Sequence, residues 1–377
     1  MQLSVIILNY NVRYFLEQCV LSVQKALQNI DAEIIVIDNN SSDDSCKMMK
    51  ELFPNVKLIE NRENIGFPKG NNIGVAQAKG EFICILNPDT VVAEDTFTKI
   101  LNTKNWQLNT GIIGCKLIDG TGNFLPESKR GIPTPWVAFT KIFGLYKIFP
   151  KATLFNKYYA SHLSENQSGK VDILVGAFMF MKRELYNEIG GFDENCFMYS
   201  DDIDLSFIVL KKEKFNFYFH ETTVIHYKGE STVRDSNYMK RFQWAMQFFY
   251  KKHFKKSIVF DVFMKIGVVV FSTIKKNQQR NKEIPIDLLV LFSKRDLKLK
   301  SKKTIEYHFE FESFKCNSKL NYEIIFDTAS FSNKEIIDYM ILNKAKNITY
   351  KNYIPTSNFK IGSNNANDIG RIIICEN

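Results

Sequence analysis

The sequence predicts an α/β fold with a mostly parallel central sheet and helices on both of its faces. Through the first hundred residues, short apolar runs alternate with segments of helical periodicity. The runs are apolar throughout and do not alternate with polar residues, which is typical of parallel strands buried on both faces. Each run ends in polar residues, and the carboxyl edge of an open α/β sheet is where ligands bind.

The elements of this sheet are predicted in a regular order. Four strands alternate with three helices: Val5–Leu8, helix Val12–Gln28, Glu33–Ile37, helix Asp43–Leu52, Val56–Glu60, helix Lys69–Ala78 and Phe82–Leu86. Residues 119–170 are rich in Gly, Pro and aromatic residues, which predicts long connections. Beyond them we predict that regular structure resumes at Val171–Lys182, followed by helices from Arg183 and from near Asp201 and by two short strands, Phe215–His220 and Thr223–His226.

The composition is that of a globular protein with a local excess of positive charge. The chain has 377 residues, 45% hydrophobic and 24% charged, and a formal net charge of +9. The stretch from Lys240 to Lys282 holds eleven Lys or Arg and one acid, a net +10. The rest of the chain is therefore close to neutral, and we predict no nucleic-acid partner.

The cysteines and the amino terminus bear on the compartment. Seven cysteines at wide spacings, with no C-x-x-C, do not suggest a disulfide framework or a zinc site. Cys19, Cys84 and Cys375 lie in apolar runs and are predicted to be core residues. No signal peptide is recognised after Met1. Together these features predict a cytoplasmic protein.

An apolar segment within the basic stretch has two interpretations. Ser257–Ile274 is apolar except for Asp261 and Lys265, and lysine pairs flank it. Eighteen residues are at the lower limit for crossing a bilayer. The segment is therefore either an amphipathic helix lying in the surface of an anionic membrane, at the inner face of the cell membrane, or a core helix.

The composition changes again after Glu283, where short strand and helix patterns predict a small α/β appendage. The predicted strands are Ile305–Phe311, Glu323–Phe326, Ile348–Tyr350 and Ile372–Cys375, and the helix is Asn333–Asn343. We therefore predict three units: residues 1–239, with halves 1–105 and 106–239; a basic helical segment, 240–282; and a C-terminal unit, 283–377.

Two groups of acids are candidates for chemistry. Asp89 follows the predicted strand Phe82–Leu86, where a carboxylate is well placed to hold a hard divalent cation; the alternative is an ordinary turn. Asp201, Asp202 and Asp204 follow an aromatic run. Close carboxylates raise one another's pKa, which suits a general base. The alternative is a helix amino terminus, where acids are favoured.

Three further residues are weaker candidates. His226 offers an imidazole for a metal, and Lys228 offers an ammonium group for phosphate. Asp38 ends the second predicted strand, where its carboxylate can accept from a base or a ribose. The alternatives are a structural histidine and an N-cap for the following helix.

In their order and spacing these segments resemble the family 2 glycosyltransferases of the GT-A fold, especially the bacterial rhamnosyltransferase-like branch. The resemblance extends from residue 4 to about 232. It rests on these segments: Ser4–Asn11, Val36–Ser41, Asn64–Phe67 with Gly70–Asn72, Leu86–Thr90, Gly176–Met179, Gly190–Glu194, Phe197–Leu205, and His226 with Gly229 and Ser231.

The resemblance implies a role for each matching position. The nucleotide would be held by the backbone near Leu8 and by the side chains of Tyr10, Asp38, Asn71, Asn72 and, at the diphosphate, Lys228. Asp89 would bind Mg²⁺ or Mn²⁺, with Asn87 in place of the first acid of the family's D-x-D motif, and His226 would be a further ligand. Asp202 would be the catalytic base, and Asp201 replaces the glutamate that commonly precedes it.

We therefore expect an inverting glycosyltransferase that moves a sugar, such as rhamnose, from a nucleoside diphosphate to a hydroxyl of a cell-surface or lipid-linked glycan. One alternative is a nucleotidyltransferase, but Leu8–Arg13 contains no glycine for a phosphate loop. The other is an inactive sugar-nucleotide-binding or scaffold protein. The presence of Asp89, Asp202 and His226 favours an enzyme.

Overall fold

The structure is a computed structural model, and it describes residues 1–134, 136–137, 140, 157–227, 238–254, 285–363 and 370–375. In these ranges the strands are β1 (Leu3–Asn9), β2 (Ala32–Asp38), β3 (Lys57–Glu60), β4 (Phe82–Leu86), β5 (Thr90–Val92), β6 (Thr110–Ile118), β7 (Lys129–Arg130), β8 (Gly169–Val171), β9 (Ile173–Leu174), β10 (Phe178–Lys182), β11 (Phe215–His226), β12 (Leu288–Phe292), β13 (Ile305–His308), β14 (Tyr322–Asp327), β15 (Ile348–Ile354), β16 (Phe359–Gly362) and β17 (Arg371–Ile374).

The helices of the same ranges are α1 (Arg13–Ala26), α2 (Ser45–Leu52), α3 (Phe67–Ala76), α4 (Thr96–Leu101), α5 (Arg183–Glu188), α6 (Asp201–Lys211), α7 (Tyr238–His253) and α8 (Asn333–Leu342). Short 3-10 helices lie at Pro126–Ser128, Lys157–Tyr159 and Phe311–Ser313. The predicted segments Lys228–Ser231 and Ser257–Ile274 lie outside the described residues. Among the helices that are described, none is long and apolar enough to cross a bilayer.

The central sheet confirms the predicted α/β fold. In the described ranges its strand order is β3-β2-β1-β4-β10-β6-β11-β5, and β8 also pairs with β11. Strands β3, β2, β1 and β4 are parallel, whereas β10 runs antiparallel between β4 and β6. The amino end of β10 therefore lies beside the carboxyl end of β4. Strand β11 is parallel to β6, so it ends at this same edge.

Strand β1 shows why the runs are apolar throughout. Val5 and Ile7 pack in the apolar cluster that contains Leu16 and Val20 of α1. Ile6 and Leu8 pack in the cluster on the opposite side of the sheet. Because successive side chains of a strand point to opposite faces, a sheet covered on both sides needs an apolar residue at every position.

Two predictions were wrong. Regular structure resumes near Val171 as predicted, in β8, β9 and β10, but the two strands predicted over 215–226 are one strand, β11, with register shifts. Cys375 is only partly buried, although Cys19 and Cys84 are core residues as predicted. Irregular pairing and partial burial depend on contacts distant in sequence, which local periodicity does not report.

The C-terminal residues form a second sheet with the order β13-β12-β14-β15-β16-β17. Its first four strands are parallel, β16 is antiparallel to β15, and β17 is antiparallel to β16. Helix α8 follows β14 and begins with a capping box formed by Ser332 and Glu335. The small α/β appendage expected after Glu283 is therefore present. The predicted boundary at 239 falls at the start of α7, and that at 282 lies outside the described residues.

The two sheets share one apolar core. Phe15 of α1, Val91 of β5 and Tyr227 pack in the same cluster as Phe326 and Met340 of the C-terminal unit. Such burial is the main stabilising contribution to an interface between units of one chain.

Polar contacts fix the orientation of the C-terminal unit. The Glu94 carboxylate accepts hydrogen bonds from the backbone amides of Asn333 at 2.8 Å and Lys334 at 2.9 Å, at the amino terminus of α8. The Lys334 ammonium forms an ion pair with Asp95 at 2.8 Å. Gly122 (φ +81°) lies so close to α8 that an added Cβ would be 2.3 Å from the Met340 carbonyl oxygen. The C-terminal unit is thus built into the sheet domain through contacts that tolerate little change.

Candidate active site

Most of the predicted site residues lie at one edge of the central sheet. Leu8 is near the end of β1, Asp38 is the last residue of β2, and Asp89 follows β4. His226 is the last residue of β11, which ends at the same edge. Parallel strands bring their carboxyl ends together, so residues far apart in sequence converge here.

The first part of the site surrounds the ends of β1 and α3. Leu8 is buried, and a Cβ added to Gly70 would lie 2.4 Å from its Cδ1, so the glycine lets α3 approach the strand. The Asn71 side chain is fully buried and donates to the Phe67 carbonyl oxygen at 2.9 Å. Its Oδ1 has no hydrogen-bond partner among the described residues. Tyr10 directly follows β1 and is partly exposed.

The Asp38 carboxylate organises the loop after β2. Its Oδ1 accepts from Asn9 Nδ2 at 2.7 Å and from the Ser41 hydroxyl at 2.6 Å, and its Oδ2 accepts from the Ser41 amide at 2.8 Å. Helix α2 begins only at Ser45, so the N-cap alternative for Asp38 was wrong. Asp38 instead holds the two strand-end loops together in a fixed geometry.

Asn72 has a different environment from that of Asn71. Its Nδ2 donates to the Phe192 carbonyl oxygen at 2.9 Å and to Glu194 Oε1 at 3.0 Å. Its Oδ1 accepts from the Tyr186 hydroxyl at 2.5 Å and from the Phe192 amide at 3.1 Å. The side-chain amide is therefore fully engaged within the protein, and its contribution to nucleotide binding would be to fix the loop 190–194.

Asn87, Asp89 and His226 form a compact cluster of possible cation ligands. His226 Nε2 is 3.4 Å from Asp89 Oδ1 and 3.4 Å from Asn87 Nδ2. Asp89 and His226 are buried. The backbone amide of Tyr227, next to His226, donates to the Asp89 carbonyl oxygen at 3.0 Å. This bond ties the two strand ends that carry the cluster.

The cluster fits a divalent cation. Within the described ranges, no group of three or more His, Cys, Asp or Glu side chains forms a metal site, so an amide would have to complete this one. Asn87 Oδ1 and His226 Nδ1 are buried and have no hydrogen-bond partner among the described residues. Because an unpaired buried polar atom is costly, amide and carboxylate oxygens with an imidazole here suit Mg²⁺ or Mn²⁺.

Asp201 and Asp202, here called the acid pair, begin helix α6. Two groups from the segments around β7 and β9 hold Asp202. The Gly176 amide donates to Asp202 Oδ2 at 3.0 Å, and Arg130 Nη2 contacts the same oxygen at 2.5 Å. Nothing among the described residues donates a hydrogen bond to Asp202 Oδ1. Burial, and then the neighbouring Asp202 carboxylate, raise the pKa of Asp201 to about 7. The two adjacent acids are therefore in different electrostatic environments.

Asp204, the third acid in the first turn of α6, has a separate role. Asp204 is buried, and its two oxygens contact His253 Nε2 at 2.5 Å and Lys252 Nζ at 2.8 Å. Both partners lie in the last turn of α7, and Lys252 also pairs with Asp193 at 2.6 Å. Asp204 thus fastens α7 to the helix that carries the acid pair.

The acid pair and the cation cluster are adjacent in the structure. The Asn87 amide donates to the Ala177 carbonyl oxygen at 3.1 Å, and Ala177 follows Gly176, which binds Asp202. The loop before α6 is fixed by Gly66 (φ +85°), because an added Cβ would lie 2.8 Å from Phe197. Lys228 lies outside the described residues.

Sequence reasoning missed Arg130. It lies in the irregular stretch 119–170, where a Lys-Arg pair is typical of solvated surface. In the structure Arg130 is buried and contacts the acid pair. Its position in a loop-rich segment close to Pro133 and Pro135 was the only local signal, and that signal does not distinguish a buried arginine from an exposed one.

Comparison with known proteins adds the family. The sequence model described as Glycosyl transferase family 2 matches residues 4–190. The N-acetylglucosaminyl-diphospho-decaprenol L-rhamnosyltransferase of Mycobacterium tuberculosis is 24% identical over 62% of this chain and 78% of that protein. Rhamnosyltransferase WbbL of Escherichia coli is 25% identical over 63% of this chain and 89% of that protein.

A third relative and a solved structure are more partial matches. The GalNAc(5)-diNAcBac-PP-undecaprenol beta-1,3-glucosyltransferase of Campylobacter jejuni is 31% identical over 44% of this chain and 57% of that protein. The mannosyltransferase PcManGT of Pyrobaculum calidifontis, solved in complex with GDP-Man and Mn2+, has a TM-score of 0.47 and 16% identity, over 74% of this chain and 76% of that chain.

The matched residues 4–190 run from β1 to beyond β10 and include the loops at the carboxyl ends of β1, β2 and β4. The relatives are named as glycosyltransferases, two of them as rhamnosyltransferases. The chain therefore belongs to glycosyl transferase family 2, has its GT-A type α/β fold, and is a glycosyltransferase of the rhamnosyltransferase-like branch.

Proposed function

We propose that this enzyme transfers a hexosyl group, such as rhamnose, from a nucleoside-diphosphate sugar to a hydroxyl of a lipid-linked or cell-surface glycan, with inversion at the anomeric carbon. The observation that carries the proposal is the adjacency of the acid pair and the Asn87–Asp89–His226 cluster, joined through the bond from the Asn87 amide to Ala177. An acid beside a diphosphate-binding cation site is what direct displacement needs.

The side chains would act together in a single displacement. Asp202 takes the proton of the acceptor hydroxyl while that oxygen forms a bond to the anomeric carbon. The bond from the same carbon to the diphosphate oxygen breaks, and the diphosphate leaves with the electron pair. Attack opposite the leaving group inverts the configuration, and no covalent sugar–enzyme intermediate is needed.

The remaining residues would bind and orient the donor. Asn87, Asp89 and His226 would hold Mg²⁺ or Mn²⁺, which when bound offsets the charge that develops on the diphosphate. Leu8, Tyr10 and Asp38 would position the base and ribose at the ends of β1 and β2. The nucleotide-binding site would also include Asn71, Asn72 and Lys228.

The names of the relatives support the substrate classes. One relative is named for a diphospho-decaprenol acceptor and another for a PP-undecaprenol acceptor. Two are named as rhamnosyltransferases. We propose a polyprenyl-diphosphate-linked glycan as acceptor and a nucleoside-diphosphate rhamnose or a related hexose as donor.

A donor screen tests this function. The purified protein is incubated with a polyprenyl-diphosphate-linked sugar and a panel of nucleoside-diphosphate hexoses, and released nucleoside diphosphate is measured with and without chelator. We expect turnover with one donor, loss of turnover with chelator, and an inverted anomeric centre in the product by NMR. Donor binding by calorimetry with no turnover for any donor–acceptor pair would instead favour the inactive sugar-nucleotide-binding protein.

The surface of α7 supports association with an anionic membrane from the cytoplasmic side. Trp244 is 48% exposed and stacks on Phe248 with ring centroids 6.0 Å apart. Lys251 is exposed next to this aromatic pair, and the basic stretch continues beyond α7 in the sequence. A partly exposed aromatic pair beside lysines is typical of helices that lie at a membrane surface, where the acceptor lipid would be found.

A further inference from the structure

Arg130 is an arginine enclosed by protein and directed at the acid pair. It ends β7, is 8% exposed, and its Nη2 contacts Asp202 Oδ2 at 2.5 Å and the Leu174 carbonyl oxygen at 3.1 Å. Its Nε has no hydrogen-bond partner among the described residues. Burial would lower the pKa of Arg130, but the Asp202 carboxylate and Tyr158 raise it, so the guanidinium stays charged.

Three other basic side chains near the first turn of α6 are paired elsewhere. On α7, Lys252 and His253 contact Asp204, and Lys252 also contacts Asp193. Lys129, next to Arg130, points to the carbonyl oxygens of Tyr159 and Ala160.

The remaining titratable groups around the acid pair carry no positive charge. They include Asp201 itself, the Tyr158 hydroxyl on the 3-10 helix Lys157–Tyr159, and the buried Cys196 thiol before α6. Within the described residues, Arg130 is therefore the cation that contacts the acid pair directly.

Resting on the function proposed above, we infer that Arg130 is a positioning residue that keeps the negative charge of the acid pair on Asp202 and leaves the proton on Asp201. The guanidinium contacts only Asp202 of the two acids, and the Gly176 amide donates to the same oxygen. Asp202 Oδ1 stays available for the acceptor hydroxyl.

The physical reason is the cost of two adjacent buried charges. Two carboxylates on neighbouring residues in a buried site do not both ionise readily at neutral pH. The acid next to the guanidinium ionises first, and its neighbour retains a proton. The raised pKa of Asp201 agrees with this assignment. Without Arg130, both buried acids would keep their protons to a higher pH. Asp202 could then not accept a proton over the neutral range.

The pH dependence of kcat tests the assignment. In Arg130→Met we expect the acid limb of the kcat profile to move upward by roughly 1–3 pH units, with recovery of rate at alkaline pH. Arg130→Lys should restore most of the wild-type profile. Adding Asp201→Asn to Arg130→Met should move the limb back down, because the like charge is gone. A purely structural role would lower kcat equally at all pH values, and an unshifted limb in a natively melting Arg130→Met protein would overturn the inference.

A second measurement does not depend on the stability of the Arg130 variant. Infrared difference spectra of the wild type near pH 6 should show a protonated-carboxyl band that is lost in Asp201→Asn. Retention of the band in Asp201→Asn would place the proton on Asp202 and reverse the assignment. Failure of the proposed function is distinguishable, because it appears as absence of turnover in the wild type with every donor and acceptor.

Discussion

The backbone amide of Asn87 donates a hydrogen bond to the carbonyl oxygen of Ala177 at 3.1 Å. This bond joins the loop after β4, which carries the cation cluster, to the loop before β10, whose Gly176 amide binds Asp202. It exists because β10 runs antiparallel to β4, with Leu86 opposite Phe178. The loop that carries Asn87 and Asp89 is thus held beside the loop that binds Asp202 by the pairing of the sheet.

We predict that Asp202→Asn reduces transfer by about 10²–10⁴-fold, because the acceptor proton loses its base. Donor affinity, measured by calorimetry, should stay close to that of the wild type, because in the proposed mechanism Asp202 acts on the acceptor and not on the donor. Asp204→Asn is the matched control from the same helix turn, and we expect a smaller effect on kcat. Equal rates in Asp202→Asn and the wild type would move the role to another residue.

The second prediction concerns the cation cluster. In Asp89→Ala, donor binding should weaken by about tenfold or more in the presence of Mn²⁺ and change little in its absence, because the carboxylate would act through the cation. Direct Mn²⁺ binding, followed by electron paramagnetic resonance, should weaken in Asp89→Ala and in His226→Ala. Wild-type donor affinity that is the same with and without Mn²⁺ would contradict the metal-dependent part of the proposal.

The pKa of Asp201 makes stability depend on pH. Its folded pKa of about 7 lies above the ordinary value of 3.8, so the folded state binds the proton more tightly than the unfolded state. The free energy of unfolding should therefore fall as pH rises from about 4 to 7 and level off above that. Asp201→Asn should remove this loss, on the order of a few kcal/mol at pH 8, and make no difference near pH 3. Urea unfolding of both proteins across this range checks the sign.

The parallel half of the sheet could be predicted because its signals are local. Strand β4 was predicted with its observed ends. Asp89 follows that strand and Asp202 lies in the first turn of a helix, as their short motifs suggested, and their roles stay predictions. Asp38 was placed correctly at a strand end, although its partners were not foreseen.

What the sequence did not predict depends on long-range contacts. Strand β5 is three residues long and exists through its pairing with β11, so no periodicity reveals it. The engagement of Asn72 with Phe192 spans 120 residues. The burial of Arg130 requires Leu174 of β9 and Asp202 of α6 to be in place beside it. In each case the deciding partner is distant in the chain, whereas the local pattern was compatible with several outcomes.

Two glycines test how the C-terminal unit is held. Gly122 (φ +81°) and Gly190 (φ +82°) have the same backbone conformation, but a Cβ on Gly122 would lie 2.3 Å from the Met340 carbonyl oxygen, whereas Gly190 has nothing within 4 Å. Gly190→Ala should cost about 1–2 kcal/mol from the left-handed conformation alone. Gly122→Ala should cost clearly more, because α8 must move. Equal losses in thermal or urea unfolding would show that the contact with α8 is not restrictive.

The last prediction concerns the membrane. Net charge is concentrated in Lys240–Lys282, and the described part of that stretch presents Trp244, Phe248 and Lys251 on one surface of α7. A basic residue near an anionic surface contributes about 1 kcal/mol, and this attraction is screened by salt. The protein should therefore sediment with anionic vesicles at low salt and be released at high salt.

Variants of α7 separate this surface from general charge. Lys251→Glu and Trp244→Ser should each weaken vesicle binding several-fold. Lys298→Glu, an equal charge change at an exposed lysine of the C-terminal unit, should weaken it less, because only the α7 surface would meet the lipid. If the wild type stays in the supernatant with anionic vesicles at low salt, the membrane proposal fails, and Ser257–Ile274 is then better explained as a core helix. If Lys298→Glu matches Lys251→Glu, the attraction depends on overall charge and α7 is not the contact surface.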